Sequence, residues 1–225
     1  AHDFDITPFI RNQTRMENNG YPLDLAVSPD GEVISVSYLM VESGEISSQV
    51  VFYNFGQEGQ EQVDNIVAEF TYEDTVVPDL VYFDNNTCVA FRDDGFSVFQ
   101  GNDIPEERKS EEIDQQLISL FYNEEYFGIV TAGEEQESTY LMTLYDSSGR
   151  ERSSRGFDME YQSISFSGEK VILCAGTQVE MYNLNGRLKF QGDIQEGMVR
   201  NLFRMSRNRY FLISDEGISM IQLRW

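Results

Sequence analysis

Short apolar runs, most of them alternating with polar positions, follow one another from residue 23 to the end of the chain. Clusters of Gly, Asp, Asn, Ser and Glu separate them. Five stretches share one plan: "LDLAVSPDGEVISVSYL" from Leu23, "DLVYFDNNTCVAFRDDGFSVF" from Asp79, "LISLFYNEEYFGIVTAG" from Leu117, "YQSISFSGEKVILCAG" from Tyr161 and "RNLFRMSRNRYFLISDEGISMIQL" from Arg200. Each reads as a strand, a polar turn (SPDG, DNN, YNEE, SGE, SRN) and a second strand rich in Val, Ile, Phe and Tyr. A third strand follows in every case: "QVVFYNF", "FSVFQG", "YLMTLYD", "QVEMYNL" and "ISMIQL". Fourth strands are weaker, as suits exposed outer positions, with "NIVAEFTY" after the first unit and "RGFDMEY" and "LKFQGDI" after the third and fourth.

With Leu25, Leu80, Ile118, Ser163 and Leu202 as matched positions, the intervals are 55, 38, 45 and 39 residues. A repeat of about 40–45 residues with four strands per unit is the signature of a β-propeller blade, whose faces are shielded only by its neighbours. The sequence therefore predicts an all-β fold and a single propeller domain over residues 1–225, built from about five four-stranded blades. The Asp30-Gly31 pair falls where the first hairpin must reverse, so SPDG reads as turn chemistry. After the fifth unit the text is one strand short. The N-terminal "FDITPFI", residues 4–10, is the strand expected to pair with the last blade and cover its open edge. An arc of a larger propeller is the alternative. "NDIPEERKSEEIDQQ", residues 102–116, breaks the pattern: Asp103 is placed to cap a helix and Pro105 fits its first turn, which predicts an inserted helix or loop in place of an outer strand.

Charge narrows the partners. The chain carries a formal net charge of −23, which repels nucleic acid and anionic lipid and argues against direct binding of either. The acidity is uneven: residues 187–225 hold seven Lys and Arg against four Asp and Glu. Arg200, Arg204, Arg207 and Arg209 in this stretch form a candidate docking patch. No run of about 18 or more apolar residues occurs, so no membrane-crossing helix is predicted. The chain opens on Ala1 rather than Met, consistent with an anchoring segment upstream. Cys88 and Cys174 both lie in strand-like apolar runs, where a free thiol acts as a small hydrophobe, so no disulfide is expected.

Catalytic motifs are sparse. His2 is the sole histidine, which disfavours His-dependent nucleophilic catalysis and His-ligated zinc. Asp93-Asp94-Gly95 and Asp146-Ser147-Ser148-Gly149 resemble pieces of a calcium loop but suit tight turns equally well. No cofactor or metal is expected. Asp24, Asp79, Gln162 and Asn201 occupy equivalent places at the starts of first strands, where they would gather at one mouth of a central channel and form a candidate binding site. Carboxylates such as Asp24 and Asp79 leave a carbohydrate-active hydrolase as the competing reading.

The SPDG hairpin and the repeat length resemble bacterial propellers of the WD40 and YVTN-like class, although the Gly-His and Trp-Asp dipeptides of WD40 repeats are missing. More narrowly, the pattern over residues 20–225 is similar to an uncharacterised family of Gram-positive bacterial proteins, in which a membrane helix precedes an extracytoplasmic propeller. The resemblance implies display outside the membrane on a tether and an unknown ligand. The leading expectation for function is a non-enzymatic module that binds or senses a protein or saccharide ligand, with the hydrolase as its alternative.

Overall fold

The computed structural model describes residues 20–133, 138–206 and 208–223. Their regular structure is five antiparallel sheets, each built from consecutive strands in sequence order, with two short 3-10 helices, Glu58–Glu61 and Val63–Asn65, in one connection. Blade 1 is β1 (Tyr21–Val27), β2 (Val33–Glu42), β3 (Glu45–Asn54) and β4 (Ile66–Glu73); blade 2 is β5 (Asp79–Asp84), β6 (Thr87–Arg92), β7 (Gly95–Gln100) and β8 (Glu106–Glu112). Blade 3 is β9 (Leu117–Tyr122), β10 (Tyr126–Ala132), β11 (Tyr140–Asp146) and β12 (Glu151–Phe157). Blade 4 is β13 (Ser163–Phe166), β14 (Lys170–Ala175), β15 (Gln178–Asn183) and β16 (Leu188–Asp193), and blade 5 is β17 (Val199–Arg204), β18 (Arg209–Ser214) and β19 (Gly217–Gln222). The chain divides into two compact units, one carrying blades 1 and 2, the other blades 3, 4 and 5.

Position within a blade explains the hydropathy of each strand. Middle strands such as β6, "TCVAFR", are buried along their whole length, because both faces are covered and alternation is no longer required. Outer strands alternate between half-buried and exposed residues, as β4 does. In the first unit Val33, Val50 and Phe52 of blade 1 pack against Leu80, Cys88, Ala90 and Phe99 of blade 2. In the second unit Phe121, Met142 and Leu144 of blade 3 meet Val171, Leu173 and Tyr182 of blade 4. The opposite face of blade 4, with Ile172, Val179 and Met181, packs on Leu202, Tyr210 and Leu212 of blade 5. On the other face of blade 5, Phe203, Phe211 and Met220 are cross-strand neighbours and remain exposed.

Two expectations change. Residues 106–112 form β8, a regular outer strand paired with β7, not a helix or loop insert. "EERKSEE" has charge on both strand faces because an outermost strand with little to bury is free to be polar, so charge density misidentified it. The fourth strand of blade 3 is β12, Glu151–Phe157, earlier than "RGFDMEY" by four residues, because "ERSSR" has the same outer-strand polarity. The strand expected at residues 4–10 lies outside the described residues, as does His2.

The SPDG stretch is a structural turn. Ser28 Oγ donates to Asp30 Oδ1 at 2.7 Å and accepts the Val33 amide at 2.9 Å. Gly31 takes a φ of +78°, a region that carries a steric penalty for residues with a Cβ. Asp93 and Asp94 are likewise engaged in local structure. The Asp93 carboxylate accepts the Val76 amide at 2.9 Å, and Asp94 lies 2.9 Å from Arg92 Nε.

Candidate functional site

In the first unit, β1 runs beside β5, and this brings together Asp24 and Asp79 from the predicted site. A register shift between Pro22 and Asp24 acts as a bulge, which re-aims the Asp24 side chain out of the ladder. The Asp24 amide is held by Ser37 Oγ at 3.1 Å. Its Oδ2 crosses to blade 2 and accepts the backbone N–H of Leu80 at 2.7 Å. Asp79, the first residue of β5, lies beside it. Burial, the Asp24 charge and a hydrogen bond between the two side chains push the Asp79 carboxyl up from 3.8 to about 6.

Burial first and the neighbouring Asp24 charge second thus favour the protonated form of the Asp79 carboxyl. The arrangement acts as a fastener. A glycosidase acid and its partner flank the scissile linkage at separations of about 5–10 Å, whereas the Asp79 carboxyl lies close enough to Asp24 to feel its charge directly. One of the Asp24 oxygens is also committed to a backbone amide, so the geometry opposes the hydrolase reading.

The pair has a thermodynamic signature. Because the folded pKa of Asp79 is raised, its contribution to stability is complete below about pH 4, the unfolded value, and is lost as pH rises through about 6. The Asp79→Asn variant is therefore expected to gain stability relative to wild type between pH 5 and pH 7, by about 1 kcal/mol after allowance for the half-exposed position of the group. Urea midpoints of both proteins across that range check it; parallel curves would mean that the Asp79 carboxyl is not raised.

The second unit holds Gln162 and Asn201 separately. Gln162 lies just before β13, where its Oε1 accepts the Gly176 amide at 3.2 Å and steadies the β14–β15 turn. Asn201 sits in β17 at a register shift and its Oδ1 accepts the adjacent Leu202 amide at 2.8 Å. Both side chains serve local backbone.

The candidate Arg patch also separates. Arg204 closes β17 and Arg209 opens β18, at the two ends of one turn. Arg200 lies four residues before Arg204, about 13 Å along the strand, toward the opposite end of the blade. Arg207 is outside the described residues.

Three polar centres escaped sequence reasoning. Arg92, 5% exposed, donates to Ser97 Oγ at 3.4 Å, to Ser110 Oγ at 3.0 Å and to the Glu111 carbonyl at 3.1 Å. Its guanidinium also sits 5.1 Å from the centre of the Tyr72 ring in blade 1. Glu180, a lone acid in the apolar run "QVEMYN", is buried in β15 and accepts from Tyr182 Oη at 2.6 Å and Gln191 Nε2 at 2.9 Å. It borders a hollow of about 200 Å³ with Met159, Gln178 and Asp193, below the roughly 300–1,000 Å³ usual for small-molecule sites. The third centre joins Lys170, Lys189 and Arg204. Only an acid or base standing alone in an apolar strand signalled Arg92 and Glu180, and nothing local signalled their partners.

Burial raises the thiols of Cys88 to about 12 and Cys174 to about 11, so both are free, protonated core residues. Among the described residues there is no group of three or more His, Cys, Asp or Glu side chains placed to hold a metal ion. No helix among them is long and apolar enough to cross a membrane.

Comparison with solved structures identifies the fold as a β-propeller. The β-propeller domain of the Trilobed protease from Pyrococcus furiosus, described as having an open velcro topology, matches with a TM-score of 0.51 at 11% identity, over 91% of this chain and 71% of that one. The computationally designed Ika8 protein matches with a TM-score of 0.50 at 13% identity, over 90% of this chain and 71% of that one. No curated protein sequence matches. Residues 3–223 match the description "Family of unknown function (DUF5711)", and the chain belongs to that family.

Proposed function

We propose that this propeller is a non-enzymatic binding module for a protein ligand, displayed outside the membrane. The observation that carries this reading is the Asp24–Leu80–Asp79 contact. The inner-strand carboxylates that a hydrolase would use for chemistry are employed in fastening blade 1 to blade 2. Propellers present many loops on a rigid frame, which suits recognition of an extended protein surface. The extracytoplasmic placement and the tether rest on the resemblance to the Gram-positive family alone.

A panel of chromogenic aryl glycosides, assayed from pH 4 to pH 8 with wild type and Asp79→Asn, separates binding from hydrolysis. The expected result is no turnover above the protein-free rate for either protein. Turnover that Asp79→Asn abolishes would establish the hydrolase reading and end this one.

A further inference from the structure

Blades 4 and 5 concentrate cations at one end. Three turns lie there: residues 166–170 between β13 and β14, 183–188 between β15 and β16, and 204–209 between β17 and β18. A hydrogen bond of 2.6 Å from the Arg204 amide to Ser167 Oγ fixes the β17–β18 turn beside the β13–β14 turn of the neighbouring blade. Lys170 reaches across the same seam to donate to Tyr210 Oη at 3.3 Å. The Arg204 guanidinium lies over Gly168, where an added Cβ would stand 3.5 Å from its Nη1. Arg187, Lys189 and Arg209 are exposed in or next to these turns. Glu169 is their one carboxylate. The connections at the opposite end of the two blades carry Asp193, Glu196, Asp215 and Glu216 instead.

Two further observations make the cluster more than a solvated rim. Lys170 is partly desolvated, and its pKa is lowered first by burial and then by Arg204 and Lys189. Like charges have thus been brought near one another at some expense. In addition, the chain has 39 acids for 16 bases, so carboxylate partners are plentiful, and in the other unit Arg92, Arg108 and Lys109 each hold one. Arg187, Lys189, Arg204 and Arg209 have no ion pair among the described residues.

We propose that this cationic rim of blades 4 and 5, centred on Lys170, Lys189 and Arg204, is the docking surface for an acidic segment of a protein partner. Complementary charge would steer and orient that segment. The overall charge of −23 works against long polyanions such as nucleic acid, whose charge extends well beyond one rim. A short acidic peptide meets the cations within about a Debye length, roughly 8–10 Å, while the acidic remainder of the surface is screened. The inference deepens the protein-binding reading and rests on it.

Fluorescence anisotropy with labelled octaglutamate at low ionic strength tests the surface, with octaglutamine and a sulfated heparin oligosaccharide as the comparison probes. Wild type is expected to bind octaglutamate, to ignore octaglutamine and to bind more weakly as salt is added. The Lys189→Glu/Arg204→Glu double variant is expected to lose affinity by about tenfold or more, whereas Arg200→Glu, at the far end of the strand, leaves it unchanged. Circular dichroism confirms that the variants remain folded. No binding of octaglutamate by wild type, equal loss in Arg200→Glu, or tighter binding of the heparin oligosaccharide would each overturn the proposal. None of these outcomes involves glycoside turnover, so failure here is distinct from failure of the non-enzymatic reading.

Discussion

Replacing Arg92 with alanine is expected to lower the free energy of unfolding by about 3–5 kcal/mol. The guanidinium is nearly sealed from solvent and faces Asp94 at 2.9 Å, two serine hydroxyls, the Glu111 carbonyl and the Tyr72 ring. Tyr72 in turn donates to Glu107 Oε1 at 2.6 Å, so the network ties the outer strand of blade 1 to the outer strand of blade 2. Removing the cation strands several acceptors in a low-dielectric seam, and each such loss is more costly than the hydrogen bond was worth. Arg92→Lys should recover little of the stability, because an ammonium cannot reproduce a planar fork that reaches three hydrogen-bond acceptors and faces the Asp94 carboxylate at once. Urea unfolding with an unchanged slope measures both losses. A shift under about 1 kcal/mol for Arg92→Ala would show that the network is solvated and of little consequence.

Phe52→Ala is the second large effect, expected to cost about 3–5 kcal/mol. Phe52 is fully buried at the face where blade 1 meets blade 2. Its ring centre lies 5.0 Å from that of Phe99 in the next blade and 6.1 Å from that of Phe70, both in edge-on contact. Truncation would leave a ring-sized void with no flexible neighbour to fill it, since middle strands on both sides hold the backbone in place. Phe52 and Phe99 belong to different sheets, so a double-mutant cycle between them should show coupling of about 0.5–1.5 kcal/mol beyond the separate losses. Additive losses would mean that the two sheets do not share a packed face.

Much of this architecture could be read from the text. The run "VVFYNF" containing Phe52 alternates too little for a sheet with one wet face, and the repeat of such runs predicts sheets covered on both sides. Outer strands were harder to place. In β8 the charges of "EERKSEE" erased the apolar signal, because a strand with one bonded edge needs only backbone pairing to stay in place. The site divided for a different reason. Sequence equivalence located Asp24 and Asp79 at the starts of first strands, and these two do meet. It could not foresee that a bulge would turn Asp24 toward the Leu80 amide, since that depends on the separation of two sheets. Lys170 and Arg204 lie 34 residues apart in sequence, and only the stacking of blade 5 on blade 4 brings their charges together.

Carbon-detected NMR titration of the Asp79 carboxyl, in wild type and in Asp24→Asn, bears most directly on whether the inner-strand carboxylates grip each other across the seam. The account predicts a midpoint near 6 in wild type and a clear fall toward the ordinary aspartate range once the Asp24 charge is gone, with burial retaining part of the shift. A midpoint near 3.8 in both proteins would contradict it: the two carboxyls would then be apart, solvated and available for chemistry.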